Sequence, residues 1–275
     1  MVITDLDGTL LQTDGKLSPT NVSTLEELGR DQILRIIATG RTLYSAFKAL
    51  PRSFPIDYLI FSSGAGILDW QTRQILSAHH LSGDEIAVVS HLLIAHDLDF
   101  MIHQPIPDNH YFFYRATGRE NPDFVRRCQL YQAFASPIDG AAMTFSKACQ
   151  ILAIDPRRGP QSKYDLLKQQ LRTLNVIRST SPIDGISTWI EIFPATVSKG
   201  LASAWLARKH NANRTTALAL GNDYNDLDLL QWAGHSFVVR NAPPDLKHAY
   251  RSVSSNDNDG FTEAVKIWMT MMHDA

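Results

Sequence analysis

Short apolar runs rich in β-branched residues alternate along this chain with stretches that repeat apolar residues every three or four positions. The first run extends from Met1 to Thr4, and two further runs cover 33–38 and 58–61. Runs of this length predict buried strands, whereas the three-to-four spacing between them predicts helices. Strands and helices that alternate with short connections predict a parallel sheet with right-handed crossovers.

Each of these strands ends in small or polar residues. The first is followed by residues 5–9 (DLDGT), the second by residues 39–41 (TGR) and the third by residues 62–63 (SS). Ligands of open parallel sheets bind at the carboxyl ends of the strands, so these groups are expected to meet there. Asp5 and Asp7 are two apart, so their side chains are expected to point toward one small volume.

The pattern of strands that end in polar residues stops near residue 81 and returns after Pro194. Between these points strands and helices alternate without polar strand ends. We therefore predict a doubly wound parallel-sheet core, Rossmann-like, in residues 1–80 and 194–275, with a smaller α/β domain, residues 81–193, inserted into it.

The second core segment, residues 194–275, carries further polar groups. Lys199 lies at a predicted helix start, residues 222–226 (NDYND) follow the predicted strand 216–220, and Asn241 follows another strand. Near the first strand end, an Asp-Gly pair at 14–15 predicts a tight hairpin.

Composition excludes several classes of protein. Apolar residues make up 44% and charged residues 20% of the 275, and the net charge is −2. These values indicate a soluble globular protein and argue against nucleic acid or a membrane as partner. The two cysteines lack metal-ligand spacing, and no signal peptide precedes the first strand, so we expect a cytoplasmic protein. We also expect a monomer or weak homo-oligomer.

Two like charges as close as Asp5 and Asp7 need an explanation. The motif alone leaves open a solvated turn, a shared proton, a bound cation, or a nucleophile paired with an acid/base. Carboxylates and amides at two strand ends suit Mg²⁺, and Lys199 and Thr39 suit a phosphoryl group. The combination indicates an anionic, phosphorylated substrate.

Four motifs in this order resemble those of the haloacid dehalogenase superfamily. They are residues 5–9, residues 39–41, Lys199 and residues 222–226. The insert between the second and third motifs resembles the type IIB cap of the Cof-like phosphatases. The resemblance extends over nearly the whole chain.

The resemblance implies a role for each motif residue. Asp5 would attack phosphorus and form an aspartyl-phosphate, and Asp7 would act as acid and base. Thr39 would hydrogen-bond the phosphoryl group, and Lys199 would neutralise its charge. Further residues would contact the substrate, namely Gly40, Arg41, Asn225 and Asn241. Mg²⁺ would be held by Asp5, Asp7 and the fourth motif, that is, Asn222, Asp223 and Asp226.

The fourth motif departs from the family pattern Gly-Asp-x-x-Asn-Asp. Asn222 stands at the first aspartate position, and Asp223 follows it. Either Asn222 ligates the metal through its amide oxygen, or Asp223 replaces it. Ser63 is also found where relatives often have asparagine, which is expected to change substrate contacts.

The sequence thus predicts a Mg²⁺-dependent phosphomonoester hydrolase for a small phosphorylated metabolite such as a sugar phosphate. Two alternatives remain. A phosphomutase would transfer the phosphoryl group to a second hydroxyl. A non-catalytic sugar-phosphate-binding module would share the scaffold without turnover.

Overall fold

The computed structural model describes residues 1–138, 145–157 and 161–273. The strands within these residues are, in chain order, β1 (Val2–Thr4), β2 (Arg35–Ala38), β3 (Tyr58–Phe61), β4 (Gly66–Asp69), β5 (Ile75–Ala78), β6 (Leu81–Ser82), β7 (Asp99–His103), β8 (Phe112–Arg115), β9 (Ala135–Pro137), β10 (Lys147–Ala148), β11 (Gln150–Asp155), β12 (Leu174–Thr180), β13 (Thr188–Pro194), β14 (Leu218–Gly221), β15 (His235–Val239) and β16 (Arg251–Val253). The α-helices are α1 (Pro19–Arg30), α2 (Leu43–Ala49), α3 (Gly83–Ala95), α4 (Pro122–Leu130), α5 (Tyr164–Gln170), α6 (Lys199–Lys209), α7 (Leu227–Trp232), α8 (Pro244–Ala249) and α9 (Gly260–His273).

The chain divides into two compact units. Unit 1 comprises Met1–Arg41, Ser45–Ser77 and Ser198–Ala275, and unit 2 comprises Thr42–Tyr44 and Ala78–Val197. Unit 2 is therefore an insertion whose main boundaries fall within a few residues of positions 81 and 193.

Unit 1 contains an eight-stranded sheet in the order β16-β15-β14-β1-β2-β3-β4-β5. β1 lies in the middle and pairs in parallel with β14 and β2. Neighbours from β16 to β3 are all parallel, which confirms the predicted doubly wound α/β class. Because β1, β2 and β14 are adjacent, their carboxyl ends bring three of the predicted motifs together.

Apolar side chains cover the sheet of unit 1 on both faces. On one face Ile3 and Ile36 belong to the same buried cluster as Leu206 of α6 and Leu229 of α7. α1 packs against α9, which contacts the sheet at β14, β15 and β16. Strands buried on both faces read as continuous apolar runs, which explains why they were predictable.

The sequence did not predict the antiparallel extension of this sheet. β4 pairs antiparallel with β3 through the register Tyr58↔Asp69 to Phe61↔Gly66, and β5 follows at the edge. Gly66 allows the strands to approach, because a Cβ there would lie 2.0 Å from the Phe61 ring. The edge strand β5 is partly exposed, so it carries a weaker apolar signal, whereas β4 is buried but begins with a glycine directly after a short turn.

The predicted hairpin at 14–15 is present. The N–H of Gln12 donates to the carbonyl of Lys16 at 2.9 Å, and Leu11 bridges to Leu17 in the antiparallel sense. The turn is tied to the C-terminal part of the chain, since the Thr13 N–H and hydroxyl both donate to the Asp257 carboxylate at 2.7 Å.

Unit 2 contains a six-stranded sheet in the order β12-β13-β11-β7-β8-β9. The pairs from β12 to β8 are antiparallel, and β8 with β9 is parallel. A large apolar cluster joins Val89 and Leu93 of α3 to Ile151 and Ile190 of the sheet. None of the helices in the described segments has both the length and the apolar character needed to cross a membrane.

His103 lies in the core of unit 2 and is 1% exposed. Its Nδ1 donates to the carbonyl of Asn109 at 2.8 Å. Burial, reinforced by the positive charge of Arg127, lowers the pKa of His103 to about 3. The folded protein therefore keeps this imidazole neutral, whereas the unfolded chain protonates it below about pH 6.5.

We expect His103 to make the protein less stable as the pH falls. The unfolded state binds one more proton between the two pKa values, so stability is lost from about pH 6.5 downward, at up to about 1.4 kcal/mol per pH unit. His103→Asn retains a donor for Asn109 but cannot titrate. Urea unfolding at pH 6 and pH 5 should show the wild type losing about 1 kcal/mol more than this variant. Equal losses would contradict the burial of a neutral imidazole.

Candidate active site

Asp5 follows β1 directly and is 4% exposed. Its N–H donates to the carbonyl of Leu220 in β14, which fixes the strand end at the centre of the sheet. A short helical turn, Leu6–Leu10, follows and contains Gly8 at φ +68°. The left-handed conformation favours glycine, and a Cβ there would lie 2.6 Å from Nδ2 of Asn222.

Lys199 is the first residue of α6 and is fully buried. Ser198 caps this helix by accepting the N–H of Leu201 at 3.1 Å. The Lys199 Nζ donates to Oδ1 of Asp5 at 2.7 Å and to Oδ1 of Asp226 at 2.6 Å. One ammonium group therefore lies between two buried carboxylates.

The charges in this trio shift the pKa values of its members. Burial raises the pKa of Asp5 to about 7, assisted by Asp226 and Asp7 and opposed by Lys199. Burial alone would lower the pKa of Lys199, but the Asp226 and Asp5 carboxylates outweigh it and raise that pKa. Lys199 therefore stays protonated. A further positive charge beside Asp5 would favour its carboxylate form.

Asp226 is fully buried and uses both of its oxygens within unit 1. Oδ1 accepts from Lys199, and Oδ2 accepts the N–H groups of Asn222 at 2.8 Å and Asp223 at 3.2 Å. Gly221 makes room for it, because a Cβ there would lie 2.6 Å from the Asp226 carboxyl carbon. This carboxylate anchors Lys199 and closes the turn after β14.

Asp7 is held by Arg41 in a bidentate ion pair. Nε of Arg41 donates to Oδ2 at 2.8 Å, and Nη2 donates to Oδ1 at 2.6 Å. The sequence suggested a substrate contact for Arg41, whereas here its guanidinium fixes the orientation of Asp7. A planar guanidinium matches both carboxylate oxygens at once, so it orients the group as well as pairing its charge.

Thr39 lies at the end of β2 and is fully buried. Its Oγ1 accepts the N–H of Arg41 at 3.1 Å, and its carbonyl accepts the N–H of Ser63 at 3.0 Å. The predicted substrate contacts Gly40 and Asn225 lie nearby, since a Cβ at Gly40 would be 3.7 Å from Nδ2 of Asn225 and 3.5 Å from Oγ of Ser63. The first two motifs therefore reach the same edge of the sheet as the fourth.

Asn241, which the sequence suggested as a substrate contact, bonds to the backbone in this structure. Its Nδ2 donates to the carbonyl of Gly8 at 2.7 Å, and its Oδ1 accepts the N–H of Asn256 at 3.2 Å. Asn241 therefore supports the turn after Asp5, because Gly8 lies in that turn. Lys199 is held by the carboxylates of Asp5 and Asp226 instead.

Oxygen atoms suited to a hard cation converge beside Asp5. The end of the Asn222 amide that faces Asp5 lies 3.2 Å from Oδ2 of Asp5, 3.1 Å from the carbonyl oxygen of Asp7 and 3.1 Å from Oγ1 of Thr9. Oxygen ligands of an octahedral Mg²⁺ are about 3 Å apart, because each lies 2.0–2.1 Å from the ion. The donor set of Asp5, the Asp7 carbonyl and Asn222 thus fits Mg²⁺.

The other predicted metal ligands are arranged differently. No group of three or more His, Cys, Asp or Glu side chains in the described part of the chain is arranged to hold a metal ion. Asp223 takes the N-cap position of the turn Tyr224–Asp226. The geometry therefore favours Asn222, one of the two alternatives left by the sequence, as the residue of this motif that faces Asp5.

Sequence reasoning missed two functional contacts. The first is the Arg41–Asp7 pair, which joins residues from different strand ends and so leaves no local pattern. The second is Thr9, fully buried, with its hydroxyl against Asn222. Its position in the first motif was the available signal, but a threonine after Asp-Gly also reads as a turn residue.

Comparison with known proteins gives the site a family context. The model of the haloacid dehalogenase-like hydrolase family matches residues 2–265. An HMP-PP phosphatase of Serratia proteamaculans is 26% identical and covers 88% of this chain and 84% of its own. A 5-amino-6-(5-phospho-D-ribitylamino)uracil phosphatase of Bacillus subtilis is also 26% identical and covers 93% of both chains.

Solved structures agree with the fold. A phosphatase of the same superfamily from Bacteroides thetaiotaomicron has a TM-score of 0.77 at 18% identity and covers 97% of this chain and 94% of its own. A subclass IIB sugar phosphatase has a TM-score of 0.76 at 15% identity, with 97% and 98% covered. The resemblance inferred from the four motifs is confirmed: the chain is an enzyme that belongs to the haloacid dehalogenase-like hydrolases.

Proposed function

We propose that this enzyme hydrolyses phosphomonoesters of small metabolites, sugar phosphates among them, through an aspartyl-phosphate on Asp5. The observation that carries the proposal is the environment of that carboxylate. One oxygen accepts from Lys199, and the other lies 3.2 Å from the Asn222 amide, which itself lies 3.1 Å from the Asp7 carbonyl. A buried carboxylate with positive charge on one side and a cation-binding set of oxygens on the other suits attack on an anionic phosphoryl group.

The first half of the reaction forms a covalent intermediate. A carboxylate oxygen of Asp5 attacks phosphorus, and the bond from phosphorus to the ester oxygen breaks. Asp7 enters this step with a proton on one carboxyl oxygen while Arg41 holds the other, and the leaving oxygen takes that proton and departs as an alcohol. Lys199, held by Asp226, offsets the negative charge, and the Thr39 hydroxyl donates to a phosphoryl oxygen.

The second half releases phosphate. Asp7 accepts a proton from water, whose oxygen attacks phosphorus. The bond from phosphorus to Asp5 breaks, and inorganic phosphate leaves while Asp5 returns to its carboxylate form. Asp7 ends this half protonated, as it began the first.

Mg²⁺ is the cofactor in this proposal. Asp5, the Asp7 carbonyl and the Asn222 amide oxygen would hold it. When bound, the ion supplies positive charge that stabilises the phosphoryl oxygens in the transition state. Asp226 holds Lys199 instead of the metal, since both of its oxygens already accept hydrogen bonds.

Substitution of Arg41 distinguishes two possible roles of this residue, orientation of Asp7 and binding of the substrate. Arg41→Lys keeps the charge but loses the two parallel bonds to Asp7, so we expect kcat to fall by roughly ten- to a hundred-fold. KM should change by less than about threefold, because uniform substrate binding is not removed. Steady-state kinetics on p-nitrophenyl phosphate measure both. A raised KM with unchanged kcat would instead assign Arg41 to the substrate.

The proposed function is tested with a panel of phosphorylated metabolites, with and without Mg²⁺. The panel includes sugar phosphates, HMP-PP and 5-amino-6-(5-phospho-D-ribitylamino)uracil, the compounds for which the relatives are named. We expect Mg²⁺-dependent release of inorganic phosphate. Absence of release from p-nitrophenyl phosphate and the whole panel would contradict the proposal, and so would transfer to a second hydroxyl without hydrolysis.

A further inference from the structure

The Asn222 side chain faces three oxygen atoms in the active site. One end of its amide touches Oδ2 of Asp5, the Asp7 carbonyl and Oγ1 of Thr9 at 3.1–3.2 Å. The two ends of an amide differ in chemistry but hardly in shape, and the hydrogen-bond network decides which end points where.

With the amide oxygen directed inward, the oxygen faces only acceptors and the outward nitrogen faces only donors. The Asp7 carbonyl has no proton to offer to the amide oxygen, and neither has Asp5 in its carboxylate form. This arrangement needs a cation among the three oxygens. The inward oxygen is therefore the orientation of the metal-loaded enzyme.

With the amide nitrogen directed inward, the same positions become hydrogen bonds. The nitrogen then donates to Oδ2 of Asp5 at 3.2 Å and to the Asp7 carbonyl at 3.1 Å. Both lengths are within the range of ordinary hydrogen bonds. The two amide hydrogens thus supply the partners that these acceptors need without a metal ion.

Thr9 is the third neighbour of the inward end of the amide. Its hydroxyl lies 3.1 Å from that end and donates to an oxygen there. An inward nitrogen has only two hydrogens, so the buried Thr9 hydroxyl then competes for them with Asp5 and the Asp7 carbonyl.

We infer that the Asn222 amide turns over between two states of this site, ligating Mg²⁺ through its oxygen and replacing the ion through its nitrogen. The inference rests on the magnesium site of the proposed function and adds a residue that competes with the metal. An aspartate in this position could only ligate. Without metal it would place a second carboxylate about 3 Å from Asp5, and like charges at that distance destabilise each other.

Two consequences distinguish asparagine from aspartate here. Mg²⁺ must displace hydrogen bonds in the wild type, so its affinity is lower than in an aspartate variant. The metal-free wild type also retains a satisfied site, so chelators cost it little stability. In Asn222→Asp, by contrast, stability depends on the metal.

The experiment compares the wild type, Asn222→Asp and the control Asn213→Asp. Asn213 is an exposed cap whose replacement by aspartate makes the same change in charge and preserves the cap. Mg²⁺ affinity is measured by calorimetry, and thermal midpoints are measured in EDTA and in Mg²⁺. We expect Asn222→Asp to bind Mg²⁺ at least about tenfold more tightly, and its midpoint in EDTA to fall by several degrees. The wild type and the control should show small and equal responses.

The outcomes separate the inference from the function on which it rests. Equal Mg²⁺ affinity in the wild type and Asn222→Asp, or an unchanged midpoint in EDTA, would overturn the inference while leaving the hydrolase intact. Absence of Mg²⁺ binding by all three proteins would contradict the magnesium site itself, and with it the inference.

A second readout uses the wild type alone and so does not depend on the folding of a variant. The Asn222 side-chain NH₂ pair is followed in a ¹H–¹⁵N spectrum. In EDTA its protons should exchange slowly with water, because Asp5 and the Asp7 carbonyl accept them. Added Mg²⁺ should shift the pair and speed its exchange. An NH₂ signal that is the same in both conditions would overturn the inference.

Discussion

Asp5→Asn is expected to lower kcat for p-nitrophenyl phosphate by roughly a thousand-fold or more. The amide is a far weaker nucleophile than the carboxylate, and removal of a covalent nucleophile abolishes the pathway that depends on it. The fold should persist, because Lys199 keeps its bond to Asp226 at 2.6 Å. Circular dichroism and gel filtration check the fold, and release of p-nitrophenol measures the rate.

Asp31→Asn is the matched control for this prediction. Asp31 is an exposed residue that follows α1, and the substitution removes the same charge. Its kcat should equal that of the wild type. If Asp5→Asn were as active as the control, Asp5 would not be the nucleophile.

Lys199→Met is expected to lower both activity and the free energy of unfolding. Methionine is similar in length but cannot donate, so the buried carboxylates of Asp5 and Asp226 lose their shared partner. Breaking a buried ion pair from one side costs about 3–5 kcal/mol. Urea unfolding at pH 8 measures this loss, and Lys266→Met, an exposed substitution in α9, should lie within about 0.5 kcal/mol of the wild type.

The loss in Lys199→Met should shrink as the pH falls. Burial already raises the pKa of Asp5 to about 7 against the opposing charge of Lys199, so removal of Lys199 raises this pKa further, and the folded variant binds more protons than the folded wild type. Stability relative to the wild type therefore rises toward pH 6 and falls toward pH 8. A loss of the same size at both pH values would show that the defect comes from packing instead of charge.

The core of the fold was predictable because its strands are buried on both faces. β1, β2 and β3 appear in the sequence as apolar runs that end in polar residues, and the structure places them side by side. Strands β4 and β5 were not predicted. β5 is the edge strand and is partly exposed, so it lacks that continuous signal, whereas β4 is buried but begins with a glycine directly after a short turn. The helices α7 and α8 have only six residues each, too few for a clear periodic pattern.

The site was partly predictable for a similar reason. Parallel topology places strand ends together, so the meeting of Asp5, Thr39 and Asn222 near one edge follows from order in the chain. The hydrogen-bond partner of each side chain does not follow from that order. Arg41 was expected to bind substrate and pairs with Asp7, and Asp226 was expected to bind metal and holds Lys199. Such choices depend on side-chain reach and competing acceptors, which periodicity does not encode.

Acid quenching during turnover tests the central claim most directly. Wild-type enzyme is mixed with excess p-nitrophenyl phosphate and Mg²⁺, quenched within the first turnovers, digested with trypsin and analysed by mass spectrometry. We predict a phosphoryl group on the peptide Met1–Lys16, localised to Asp5, and its absence in Asp5→Asn. Steady hydrolysis by the wild type with this peptide unmodified, or with the phosphoryl group on another residue, would contradict the account.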